Sequence, residues 1–178
     1  MIYVISDTHW GHKNIIRYCD RPFGTVEEMD AKLIENWQRV VTPADTVIHC
    51  GDFAFAKLPR RQEVLAQLPG TKVLVRGNHD YSPEEMLESG FNIVVESMTI
   101  KVDGVLYLIS HHPIDPDKAR LEILESLGAS FHIHGHVHNK TPLRYAERSL
   151  NVSCENTGYA PFPLHQLRYK YEQAPKIH

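Results

Sequence analysis

The chain has 178 residues, 42% of them apolar, which is enough for one domain with a substantial core. Its formal net charge of −3 excludes a strongly basic footprint for polyanions. No apolar run reaches membrane-spanning length, the N-terminus has no secretory h-region, and Cys19, Cys50 and Cys154 form no C-x-x-C pair. The expectation is a reduced, cytoplasmic protein with no membrane partner.

The first strand is read at 2–6 and runs directly into Asp7-Thr8-His9. Thr25-Val26-Glu27-Glu28 is a capping box, after which Val26, Met29, Leu33, Trp37 and Val40 recur at helical spacing. A strand at 46–50 ends on Gly51-Asp52, and a helix over 58–68 follows. The next strand, 72–76, is bracketed by Pro69-Gly70 and Gly77 and ends on Gly77-Asn78-His79-Asp80. Ser82-Pro83-Glu84-Glu85 opens a short third helix with Pro at its first position. Strands at 92–101 and 105–110 flank Asp103-Gly104, a hairpin signal, and the second ends on His111-His112. Asp115-Pro116 opens a fourth helix that stops at Gly128. A strand at 130–134 leads to Gly135-His136-Val137-His138, and a last strand is read at 149–154.

Strands and helices alternate in the first half, which predicts parallel pairing there; the second half is strand-rich. The predicted fold is α/β: two packed mixed sheets flanked by helices, a four-layer α/β/β/α sandwich. Residues 1–170 are read as one domain and 171–178 as a loose tail.

Six of the twelve histidines fall in these five motifs, and each motif directly follows a strand. Ligands in open α/β sheets bind beyond the carboxyl ends of strands, so the motifs converge on one edge. Carboxylate, amide and imidazole together suit manganese, iron, zinc or nickel better than calcium or a thiolate zinc site. The candidates are too many for one ion and about right for two. Two ions clamp the attacking and leaving oxygens of a displacement at phosphorus.

D-x-H, G-D, G-N-H-D, a His region and G-H-x-H, in that order over residues 6–138, resemble the calcineurin-like metallophosphoesterase family. The run from Ile5 to Ile16, followed by Arg21-Pro22-Phe23, is similar to its small bacterial and phage branch. The resemblance implies two divalent ions. Asp7, His9, Asp52 and His138 would hold the first; Asp52, Asn78, His136 and either His111 or His112 the second. It implies in-line attack by a metal-bridging hydroxide, with His79 as the catalytic histidine and Asp80 orienting it. The family's usual His-x-Pro pattern favours His111 as the ligand and leaves His112 to line the pocket. The expected substrate is a small phosphate ester, a phosphodiester before a monoester, with a nucleotide or short nucleic acid admitted. No obligate protein partner is evident.

Each motif alone reads as an ordinary turn; five in order do not. His12 either lines the site or caps the helix after it. Arg21 either reaches a phosphate, as guanidinium suits, or is a loop arginine before a turn proline. His132, His134, Cys50 and Trp37 read as packing residues. The rival function is a non-catalytic scaffold of the same fold that binds protein partners; the retained ligands and His79 argue against it.

Overall fold

The structure is a computed structural model and describes residues 1–173. Strands β1 (Ile2–Ile5), β2 (Thr46–His49), β3 (Thr71–Val75) and β4 (Ile93–Val95) run parallel in that order. Between them lie α1 (Lys13–Tyr18), α2 (Val26–Val40), α3 (Leu58–Gln67) and α4 (Pro83–Ser89). The second sheet holds β5 (Ser97–Val102), β6 (Val105–Ser110), β7 (Phe131–His134), β8 (Arg144–Ala146) and β9 (Ser149–Asn151), in the order β5-β6-β7-β9-β8. Helix α5 (Asp117–Leu127) links β6 to β7. The last strand, β10 (Phe162–Pro163), returns to the outer edge of the first sheet and pairs antiparallel with β1. Helix α6 (Leu167–Gln173) follows.

The period-2 alternation of the strands makes the four layers. Tyr3 and Ile5 pack with Met29, Leu33, Trp37, Val64 and Leu65 under α2 and α3, whereas Val4 joins Ile48, Cys50, Val73, Tyr107, Ile109, Ile133 and Leu150 between the sheets. Leu108, Leu124 and Ala129 form the smaller layer under α5. Fully burying side chains of this size is worth about 1.5–3 kcal/mol each, so both apolar faces of β1 contribute. His132 and His134 alternate with Ile133 along β7, are fully buried, and their rings lie 5.3 Å apart. Cys50 and Trp37 are core.

Local signals explain the helix ends. Thr25 accepts the Glu28 N–H at 3.1 Å, and the Glu28 carboxylate reaches back to the Gly24 N–H at 2.8 Å. Ser82 accepts from Glu85, and Gly128 ends α5 in the left-handed region (φ 66). Asp103 (φ 49) and Gly104 (φ 80) give the β5–β6 hairpin its two-residue turn.

Two expectations need correction. The strand at 92–101 is two strands, broken at Glu96, with β4 in the first sheet and β5 in the second. The tail does not start at 171: α6 runs to Gln173, and the Tyr171 ring lies 5.0 Å from that of Phe131, while its hydroxyl accepts the Arg148 N–H. Residues 174–178 of the expected tail lie outside the described residues. Helix α1 is the helix expected after His12, at Lys13–Tyr18, whereas β8 and β10 have no counterpart in the expected elements.

Candidate metal centre

Backbone bonds gather the strand-end loops. Asp7 N–H donates to Gly51 O (2.9 Å) and His9 N–H to Asp52 O (3.1 Å), so the loops after β1 and β2 run side by side. Gly135 N–H donates to His111 O at 3.0 Å, joining the loops after β6 and β7. The His136 N–H reaches both Asp7 oxygens, at 3.1 and 3.0 Å, and so ties the second sheet to the first. The motif glycines are needed for clearance. A Cβ at Gly77 would overlap the Asp52 carboxylate, one at Gly51 the His111 ring, and one at Gly135 the Asp7 carboxylate.

Three overlapping groups of ligand atoms result: Asp7, His9 and His138; Asp7, Asp52 and His111; and His111, His112 and His136. Asp52 Oδ2 stands between the groups, 3.6 Å from His9 Nε2 and 3.5 Å from His111 Nε2. Asn78 Oδ1 is 3.0 Å from His111 Nε2. The donor set fits divalent cations. Both His9 ring nitrogens are buried without a hydrogen-bond partner, and a bound ion would engage one of them. Asp7, His9, Asp52, His136 and His138 also all have left-handed φ, between 50° and 70°. Such backbone costs about 1–3 kcal/mol per residue and collects where function demands it.

The comparisons with known proteins give the family. Residues 1–172 match the calcineurin-like phosphoesterase superfamily domain. The chain belongs to that superfamily. It is 35% identical to an uncharacterized protein of Methanocaldococcus jannaschii over 170 residues, covering 92% of this chain and 86% of that one. It is 35% identical over 126 residues to the Gene 66 protein of Mycobacterium phage L5, spanning 69% of this chain but only 56% of the phage protein. Among solved structures, a protein of unknown function from Aquifex aeolicus superposes with a TM-score of 0.79 at 30% identity, covering 96% and 98% of the two chains. An archaeal phosphodiesterase superposes at 0.53 with 20% identity, covering 85% and 81%, and shares the fold.

Within this calcineurin-like frame the electrostatics divide the histidines. Burial pulls His9 down to about 2 and His136 down to about 4. Burial also pulls on His111, but Asp52 and Asp7 outweigh it and hold it up at about 9. His138 is likewise held at about 10, by Cys19, Glu155 and Asp7 against burial. Asp52 is pressed below the usual carboxylate range, because His111, the His79 N–H and His9 outweigh its burial.

The remaining sequence candidates divide. His79 is exposed, its ring 5.9 Å from that of His9, and it belongs to none of the ligand groups. His12 makes no side-chain cap on α1; its ring lies 5.5 Å from that of His9, so it lines the site. His111 and His112 do not diverge as strand neighbours would. The strand ends at Ser110 and the chain bends, bringing the His112 ring within 4.3 Å of His136. His111 is buried and its Nδ1–H donates to Cys50 O (2.8 Å), which leaves Nε2 as its ligand atom; His112 is exposed.

Two assignments need correction. The Asp80 carboxylate faces the N–H groups of Asp52, Phe53 and Gly77, each at 2.8 Å. It clamps the β2 and β3 loops together, and its oxygens are taken up there rather than on the His79 ring. Arg21 is buried beneath the site, donating to Asp7 O, Thr8 O and Glu155, so its guanidinium is not offered to a phosphate.

Glu155 was missed. Its Oε1 is 3.1 Å from His138 Nδ1 and 2.7 Å from Arg21. The available signal was its place a few residues beyond β9, whose carboxyl end lies on the same edge because β9 runs parallel to β7. Cys19 forms a further group with His138 and Glu155.

Proposed function

We propose that this protein hydrolyses phosphate esters at a two-metal centre, with phosphodiesters preferred to monoesters. The reading is supported by the overlapping ligand groups that Asp7, His9, Asp52, His111, His136 and His138 form from both sheets, most of them on left-handed backbone. Asp7, His9, Asp52 and His138 would hold one divalent cation, and Asp52, Asn78, His136 and His111 the other. Such ions, when bound, supply Lewis acidity and a water acidified towards neutrality. Manganese is the first choice for the oxygen and nitrogen donors, with iron, zinc and nickel as alternatives.

The protein's own groups do the rest. His79, free of the ligand groups and exposed beside His9, gives a proton to the leaving oxygen. Asp80 keeps the Asp52 and Asn78 loops in register through its three N–H contacts. His112 and His12 line the mouth. The diester preference is supported by Arg21, whose guanidinium is spent on Glu155 and backbone carbonyls and so offers nothing to a second phosphate charge. Free, buried Cys19, Cys50 and Cys154 favour a reducing compartment, the cytoplasm, and no helix among the described residues is long and apolar enough to cross a membrane.

The test is metal removal. Chelated protein should lose turnover of an aryl phosphodiester and regain it with Mn²⁺. His79→Ala should keep its metal and lose about 10²-fold in kcat, the scale of a general acid. A higher kcat/KM for the matching monoester across several metals defeats the diester preference, and full turnover after verified metal removal defeats the mechanism.

A further inference from the structure

An aromatic shelf flanks the metal centre, and only His12 on it has a role above. The Phe55 ring stacks on His12 at 4.7 Å with 28° between the planes. Tyr18, at the end of α1, meets His12 edge-on at 6.3 Å. His12 in turn lies 5.5 Å from the ring of His9, a candidate ligand. Phe55 is 58% and Tyr18 61% exposed, although the neighbouring Trp10, Phe53 and Ala54 are buried.

The shelf is held from behind. Trp10 N–H donates to Phe53 O (3.0 Å) and Phe55 N–H to Trp10 O (2.9 Å), so the loops after β1 and β2 pair as a short parallel bridge. Trp10 is anchored by Phe53 and Trp37. Gly11 N–H is tied to Asp30 of α2 at 3.0 Å, and Asp30 is paired with Arg60 of α3. Arginines meet the two exposed tyrosines nearby: the Arg17 guanidinium lies 5.6 Å from the Tyr18 ring and that of Arg61 covers the Tyr81 ring at 3.8 Å. Among the described residues no ring or cation contact covers the second face of Phe55.

We propose that Phe55, backed by His12 and Tyr18, is a stacking subsite for the nucleobase of the ester, so the substrate class is nucleotidyl phosphoesters. This rests on the phosphoesterase reading for the placement of the phosphate. The shelf offers π faces at one side of the metal ligands, and a nucleobase is the planar group that phosphate esters most often carry within reach of the phosphorus. Stacking needs no particular base edge, since every base has a π face. The subsite therefore selects for a base and not for one base.

The experiment measures binding to manganese-loaded protein by calorimetry, with adenosine 5′-monophosphate and ribose 5-phosphate as the two probes. They share the sugar and the phosphate and differ in the base. The nucleotide should bind about 5- to 150-fold tighter, the affinity equivalent of stacking one base on an aromatic side chain. Phe55→Ala should erase the difference, and Phe55→Trp should preserve it. The exposure of Phe55 makes both variants compatible with folding, which circular dichroism checks. Equal affinities in the unaltered protein, a difference that survives Phe55→Ala, or no measurable binding of either probe each overturns the subsite. Hydrolysis is not read here. A base-dependent difference in a protein that turns over no ester upholds the subsite and defeats the hydrolase reading, and ester turnover with equal probe affinities does the reverse.

Discussion

His138 is held on both sides, with Nε2 3.8 Å from Asp7 Oδ1 and Nδ1 3.1 Å from Glu155 Oε1. A carboxylate behind a ligand histidine fixes the ring and its tautomer, and losing it commonly costs 10–100-fold in metal affinity. Glu155 also neutralises Arg21, whose side chain is fully buried. Glu155→Gln should therefore do two separable things. Metal affinity, read by titration with a competing chelator, should fall about 10- to 100-fold. The melting temperature of the metal-free protein should fall as well, because a buried guanidinium is left without its counter-charge. A lower melting temperature with unchanged metal affinity would restrict Glu155 to neutralising Arg21.

The glycines after β2, β3 and β7 leave no room for a methyl group beside the ligands. Gly135→Ala would drive a Cβ into Ser6 and the Asp7 carboxylate, and overpacking of this kind costs about 1–3 kcal/mol. The variant should lose bound metal, measured as ions per chain, together with stability. Gly104→Ala in the exposed β5–β6 turn, which meets nothing, should lose stability alone. These strand ends were legible in the sequence, because an apolar run followed by Gly-Asp or Gly-Asn-His is a local signal. Other parts were not. Glu96 carries no turn residue, so the passage from one sheet to the other looked like one strand. At two or three residues, β10 and β8 are too short to show a period. The Asp52 and Phe53 partners of Asp80, and those of Arg21, are distant contacts that adjacency in the chain could not reveal; nearness in sequence suggested His79 and a phosphate instead.

The whole molecule carries opposed titrations when its metals are removed. His9, His49, His132, His134 and His136 are held between about 2 and about 4, chiefly by burial. Unfolding lets them return to about 6.5 and take up protons, so their stability is present above that pH and is lost as acid is added. His111 and His138, held at about 9 and about 10, behave in the opposite sense. Their contribution is complete below about 6.5 and disappears as pH rises through 9 and 10. The chelated protein should thus melt at its highest temperature near pH 6.5, falling on both sides. Metal binding must displace the protons on His111 and His138, so affinity should rise with pH across the neutral range. Thermal scans from pH 4 to 10, with and without chelator, check both; a metal-free melting temperature that climbs steadily to pH 10 would contradict the assignment.

Tyr3 in β1 is matched with Pro163 in β10, so two nearly opposite regions of the chain complete one sheet edge. A ribosome adding about 5–20 residues per second reaches the second some 8–30 s after the first. During that interval the emerging β1 can find β2 but not β10, and one row of its peptide groups remains open. An open row invites pairing with another chain. The growing polypeptide therefore passes through a stage with an open sheet edge that the finished protein closes with β10.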